Sequence, residues 1–101
     1  MATIPGGLSE RQDATEEVHE ISGKMKPFAE KKTGRNFEIF NAIFHKTQVV
    51  AGTNYFIKVH VGDVEFVHLR VWKKLPHDRE QLELYGVQTG KTFDDPIEYF
   101  Q

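Results

Sequence analysis

The sequence predicts an α+β fold in which a single long helix is wrapped by an antiparallel sheet of about four to five strands. Two observations carry this prediction. Of the twelve aromatic residues only Phe28 precedes residue 36, and aromatic side chains favour pleated, half-buried surfaces. Apolar residues recur at helical spacing before that position and with a period of two after it. A helix followed by a meander of strands is typical of the α+β class.

The predicted helix covers about residues 13–33. Asp13 and Glu16 have the spacing of a capping box, and Gly34 fits a C-terminal stop. Pro27 lies inside this segment, and because proline removes a helix hydrogen bond and clashes with the preceding turn, we expect a kink beside it. The apolar stripe expected to face the sheet consists of Val18, Ile21, Met25 and Phe28.

Four long strands and a short terminal segment follow the helix. They are predicted at residues 37–46, 54–61, 65–74, 82–92 (irregular at Gly86) and 96–100. If the odd-numbered residues of the second and third strands face the core, the residue numbers of each cross-strand pair must add up to an even number. The loop near residues 62–63 should therefore contain three or five residues, with a bulge.

Length, charge and cysteine content narrow the function classes. The 101 residues suit one domain, 1–101, of which 1–12 contain proline and glycine without periodicity and are predicted to be a flexible N-terminal trunk. The net charge of −2 does not favour binding to nucleic acid or an anionic membrane. The chain has no cysteine, no apolar run long enough to span a membrane and no secretory signal, so the expected location is cytoplasmic.

Histidine and carboxylate clusters are weak candidates for metal or catalytic sites. His60 and His68 could face each other near Glu65, but a metal site needs three or four convergent ligands, so we interpret them as solvated strand histidines. Carboxylates such as Glu83 have no predicted burial that would shift a pKa for acid–base catalysis. We therefore expect no metal, no cofactor and no enzymatic activity.

The outer face of the predicted sheet suggests one alternative function. Phe56, Phe66 and Trp72 alternate with Lys58 and Arg70, a pattern also found in platforms for single-stranded nucleic acid. Cross-strand aromatic pairing accounts for the same pattern. The net negative charge of the chain also disfavours binding to nucleic acid. A non-inhibitory protein-interaction or single-stranded nucleic-acid-binding module that uses this face is the alternative to the function developed below.

Three apolar segments lie where polar turns are expected. Residues 49–51 are two valines and an alanine between two strands, whereas turns usually contain Gly, Pro, Asn, Asp or Ser. Residues 4–8 and 75–76 are also apolar. An antiparallel meander places the connections after its first and third strands at the same end, which the trunk can also reach. The three segments are predicted to form a wedge suited to a groove on another protein.

The segment Gln48-Val49-Val50-Ala51-Gly52, followed by Thr53-Asn54-Tyr55-Phe56-Ile57-Lys58-Val59, resembles the signature loop of the cystatins. With Ile4-Pro5-Gly6-Gly7-Leu8 and Leu75-Pro76-His77 it resembles the type 1 cystatins, or stefins, over essentially the whole chain. The resemblance implies a cystatin-like fold and tight, reversible inhibition of papain-like cysteine proteases of the cathepsin L, S, H and B class. The absence of cysteine also matches stefins rather than secreted, disulfide-bonded cystatins.

The resemblance also implies which residues bind the protease. They are Gly6, Gly7, Gln48, Val49, Val50, Ala51, Gly52, Leu75, Pro76 and His77, and none of them is catalytic. The trunk is about two residues longer than is usual before Gly6. Because Val49 and Val50 favour extended backbone, we further expect a protein that is mainly monomeric but can form a domain-swapped dimer by opening this loop.

Overall fold

The computed structural model describes residues 7–75 and 82–101, which contain one helix and five strands. The elements are β1 (Gln12–Asp13), α1 (Glu16–Thr33), β2 (Asn41–Val50), β3 (Gly52–Gly62), β4 (Glu65–Lys73) and β5 (Leu82–Lys91). The strands form one antiparallel sheet in the order β1-β2-β3-β4-β5, and α1 packs against one of its faces. The predicted α+β architecture is confirmed. No helix within the described ranges is long and apolar enough to cross a membrane.

The helix begins later than the sequence predicts. Its N-cap is Thr15, whose hydroxyl accepts a hydrogen bond from the backbone N–H of Val18 at 3.2 Å. The predicted capping box is wrong because Asp13 lies in β1, where it pairs with Phe44. Gly34 ends the helix as expected, with φ at 71° in the left-handed region that favours glycine.

The helix face that packs on the sheet differs from the prediction at one position. Val18, Ile21 and Met25 are buried, but Phe28 is 56% exposed and Ala29 is fully buried in its place. Spacings of three and four both keep a residue on the same helix face, so sequence periodicity could not choose between positions 28 and 29. The sheet residues beneath the helix are Tyr55, Ile57, Val59, Val67, Leu69 and Val71.

The register of the β3–β4 hairpin confirms the predicted parity. Val59 pairs with Val67, an even sum, and the odd-numbered residues face the helix. The turn itself is only Asp63-Val64, with Gly62 paired to Glu65, so the expected loop of three or five residues is wrong. The predicted bulge is present, between His60 and Gly62, and it restores the parity of the pairing.

The outer face of the sheet is covered, contrary to the prediction. Residues 92–101 have no regular secondary structure and contact this face, where Ile97 becomes buried. Phe56 has no exposed surface. Its ring packs against the rings of Tyr99 and Phe100, with centroid separations of 5.7 and 5.8 Å. His68 is also fully buried, so the prediction of a solvated histidine is wrong at this position.

Lys58 is the most unusual residue on that covered face. Its side chain is buried, and its ammonium group donates hydrogen bonds to the carbonyls of Thr92, Phe93 and Asp95 at 2.6, 2.7 and 2.7 Å. Burial lowers the pKa of Lys58, and the carboxylate of Asp95 opposes that effect. The three carbonyls replace the water that the cation loses, which fixes residues 92–95 on the sheet.

Candidate functional site

The connection between β2 and β3 is an exposed apolar tip. Val50 pairs with Gly52, and only Ala51 lies between the two strands. Val49 is 74% exposed and Val50 is 41% exposed. Gly52 has φ at 99°, and a Cβ atom built on it would overlap the carbonyl oxygen of Lys73. Glycine is therefore required here both for backbone conformation and for the close approach of β4.

Two polar side chains support this tip from within the sheet. Gln48 is buried, and its Oε1 accepts a hydrogen bond from Asn54 Nδ2 at 2.8 Å across the hairpin. The indole N–H of Trp72 donates to the carbonyl of Ala51 at 2.9 Å. Of the predicted site residues, Gln48 thus lies within the sheet rather than on its surface. Trp72 is not among the predicted site residues, because nothing local in the sequence indicates that its indole reaches Ala51.

The second predicted segment lies beside the tip. Leu75, two residues beyond the end of β4, is 40% exposed. It lines a groove of about 380 Å³ together with Val49, Val50 and Gly52. Two of the three apolar segments are therefore adjacent at one edge of the molecule. Pro76 and His77 lie outside the described residues.

The end of the trunk runs along β2 towards the same edge. The backbone N–H of Ser9 donates to the Thr47 carbonyl at 2.8 Å, and the Thr47 N–H donates to Ser9 Oγ at 3.0 Å. Gln12 pairs with His45 in an antiparallel arrangement, whereas Ser9 bonds to Thr47, so Ser9 lies nearer the tip than Gln12 does. Gly7 is half-buried, and Gly6 lies outside the described residues. The predicted trunk of residues 1–12 is thus already attached to the sheet at Ser9.

An ion pair connects the helix to the end of β4. Lys73 Nζ contacts Glu17 Oε2, and the hydroxyl of Tyr55 donates to Glu17 Oε1 at 3.2 Å. The hydrogen bond from Lys73 lowers the pKa of Glu17, because it stabilises the ionised carboxylate. This contact ties the strand that leads into Leu75 to the first turn of the helix.

The histidine pair does not form a ligand site. His60 Nε2 is hydrogen-bonded to the carbonyl of Asp63 at 2.8 Å, and its ring packs on Phe66. Burial, reinforced by the neighbouring Lys58 cation, lowers the pKa of His68 to about 4. Within residues 7–75 and 82–101, no three His, Cys, Asp or Glu side chains are grouped so that they could hold a metal ion.

The chain is similar to known proteins over nearly its full length. A family model described as "Cystatin domain" matches residues 6–94. The chain is 50% identical to "Leukocyte cysteine proteinase inhibitor 1" of Sus scrofa over 97 residues, which are 96% of this chain and 94% of that protein. It is 53% identical to "Cystatin-B" of Paralichthys olivaceus over 95 residues, 94% and 97% of the two chains. It is 50% identical to "Cystatin-A" of Homo sapiens over 97 residues, 96% and 99% of the two chains.

Proposed function

The chain belongs to the cystatin family, and from that membership we propose that it is a tight-binding, reversible inhibitor of papain-like cysteine proteases. The resemblance to type 1 cystatins, stated above from the sequence, is confirmed by the identity of about half over nearly the full length. The family consists of protease inhibitors rather than enzymes, so the site needs no catalytic residue. The observation that carries the proposal is the adjacency of the exposed tip and Leu75 along one groove.

The proposed mechanism is occlusion of the protease cleft by a three-part wedge. The parts are the trunk glycines Gly6 and Gly7, the tip of residues 48–52, and the segment Leu75, Pro76 and His77. Exposed valine side chains supply apolar area worth about 25 cal/mol per Å² when buried. Because the tip is already held by strand pairing and by Gly52, little conformational entropy is lost on binding. Gln48 belongs to this tip and also supports it from within the hairpin, through its hydrogen bond with Asn54.

The proposal includes partners and location. The partners are proteases of the cathepsin L, S, H and B class. The protein binds them in the cytoplasm and needs no cofactor to do so.

The protein is mainly monomeric, and opening of the β2–β3 connection would join the two strands and produce a domain-swapped dimer. Since the same opening removes the tip from the wedge, the swapped dimer should not inhibit. Size exclusion after mild heating at high concentration, followed by a papain assay of any dimer, tests this.

The alternative function receives no support from the outer face. Phe56 and Phe66, which a nucleic-acid platform would expose, are buried beneath residues 92–101. Arg70 donates a hydrogen bond to the Phe100 carbonyl at 3.1 Å, so its guanidinium is already engaged within the chain. Single-stranded nucleic acid would have to displace the terminal segment before it could stack on these rings.

Titration of active-site-titrated papain with the protein tests the proposed function. We expect a stoichiometric loss of activity, and full activity at micromolar inhibitor would contradict the proposal. Val49→Asp should weaken inhibition by about 2 kcal/mol or more, because it places a carboxylate in an apolar contact. Val64→Asp is the matched control, since Val64 is equally exposed but lies in the turn between β3 and β4, at the other end of the sheet. Equal weakening by both variants would show that the tip is not the contact.

A further inference from the structure

We propose that Trp72 is a positioning residue that holds the tip of the β2–β3 hairpin in its binding conformation. Its indole N–H donates to the carbonyl of Ala51 at 2.9 Å. Ala51 is the single residue between β2 and β3, so its carbonyl lies outside the strand pairing. The inference rests on the proposed function for its consequence in binding, whereas the positioning itself is a property of the uncomplexed protein.

The indole N–H donor of Trp72 belongs to β4, a strand inside the sheet. β4 lies between β3 and β5, and Trp72 pairs with Asn54 on one side and Glu83 on the other. The indole ring contacts the ring of Tyr85 edge-on, with centroids 6.0 Å apart. Both rings and Ala51 line a hollow of about 250 Å³ on the outer side of the tip. A donor on a central strand with a packed ring can fix a loop better than one carried by the loop itself.

The turning residue needs such a restraint because it lies outside the strand pairing. Val49 and Val50 belong to β2 and have the extended backbone that β-branched residues favour, but the chain reverses direction at Ala51, between Val50 and Gly52. Val49 is largely exposed, so packing gives it little support. A hydrogen bond from Trp72 to the Ala51 carbonyl reduces the number of backbone conformations open to the tip. The tip is then ordered when the protein folds, so binding a partner costs less conformational entropy.

Trp72→Phe separates the hydrogen bond from the ring contact, because phenylalanine retains an aromatic ring but has no N–H. We expect backbone amide exchange at Ala51 and Gly52 to quicken about three- to tenfold, as expected for loss of one hydrogen bond. Dissociation from papain should accelerate by a similar factor with the association rate nearly unchanged, and the urea midpoint should fall by no more than the loss of this one hydrogen bond explains. Tyr85→Leu, the control, removes the ring contact while keeping the N–H donor, and should change each rate less than twofold.

A direct observation of the hydrogen bond is available in the uncomplexed protein. Trp72 is the only tryptophan, so a nitrogen-15 spectrum contains one indole N–H signal. We expect this proton to exchange with solvent more slowly than that of free tryptophan. Exchange as fast as in the free amino acid, or unchanged amide exchange at Ala51 and Gly52 in Trp72→Phe, would overturn the proposal. If the wild-type protein does not inhibit papain, the proposed function fails, while these exchange measurements still decide the role of Trp72.

Discussion

The central residues of the sheet are buried on both faces, but the two faces differ chemically. On the helix side, the buried residues of β3 and β4 are apolar or aromatic, such as Ile57 and Leu69. On the other side the residues next to them in sequence, Lys58 and His68, are equally inaccessible to water. Alternation along a strand therefore indicates which residues share a face, but it does not indicate whether that face is solvated.

The difference follows from what covers each face. A helix offers a side-chain stripe and keeps its backbone groups paired internally, so it can cover only apolar residues at low cost. Residues 92–101 have no regular structure and present backbone carbonyls, which accept hydrogen bonds from Lys58 and Arg70. An irregular segment can thus supply backbone acceptors to buried donors, which the backbone inside a helix cannot.

The helix-covered face should be the more sensitive to side-chain truncation. Ile57→Ala leaves a cavity in the fully buried core, and we expect a loss of about 2–5 kcal/mol in the free energy of unfolding. Ile39→Ala, at a half-exposed isoleucine outside the sheet, should cost far less. Urea denaturation of both variants measures the difference, and similar losses would contradict this account of the core.

On the covered polar face, Lys58→Met should remove the cation while keeping much of the side-chain volume. The carbonyls of Thr92, Phe93 and Asp95 would then lack their donor, and we expect a loss of about 1–3 kcal/mol in unfolding free energy. Amide exchange in residues 92–101 should quicken more than in β3. Lys24→Met, on the exposed side of the helix, serves as control. A stability equal to wild type would show that the three hydrogen bonds are not needed.

Acid should weaken the polar face through His68. Burial lowers the pKa of His68 to about 4, below the ordinary 6.5, so the unfolded chain binds a proton that the folded one resists. Stability is therefore fully present above pH 6.5 and falls between pH 6.5 and 4, by about 1–3 kcal/mol from this group. His68→Gln should reduce that slope without abolishing it, since burial also lowers the pKa of His45. His19→Gln, at an exposed position, should leave the slope unchanged. The measurement is the urea midpoint from pH 4 to 7, and identical slopes in wild type and His68→Gln would contradict the assignment.

The smallest expected effect concerns the edge of the helix-covered face. Phe28→Gln should change the free energy of unfolding by less than about 1 kcal/mol, because this ring is more than half exposed. Ala29→Gln introduces the same side chain one position later, where it must enter the closed core, and should cost clearly more. Thermal or urea unfolding of the pair decides which residue belongs to the packed stripe, and a reversed order would restore Phe28 to it.

Local chemistry was sufficient to predict much of the fold and part of the candidate site. Period-two alternation identified β3 and β4, and the parity of Val59 and Val67 placed their odd-numbered residues towards the helix. Gly34 marked the end of the helix because few other residues adopt its backbone conformation. The apolar segment 49–51 is unusual between two strands because valine and alanine have poor turn chemistry, and it is exposed in the structure. Its assignment as a connection is wrong for Val49 and Val50, which belong to β2 and leave only Ala51 between the strands.

Contacts between residues far apart in sequence were decided only by the tertiary structure. Nothing local indicates that residues 92–101 cover Lys58, that Gln48 turns inward to Asn54, or that Trp72 reaches Ala51. Each of these contacts depends on which segments the folded chain brings together and on the hydrogen-bond partners that burial then requires. Periodicity determines which side chains share a surface, whereas the segment that packs on that surface determines whether polar residues there remain solvated or become buried.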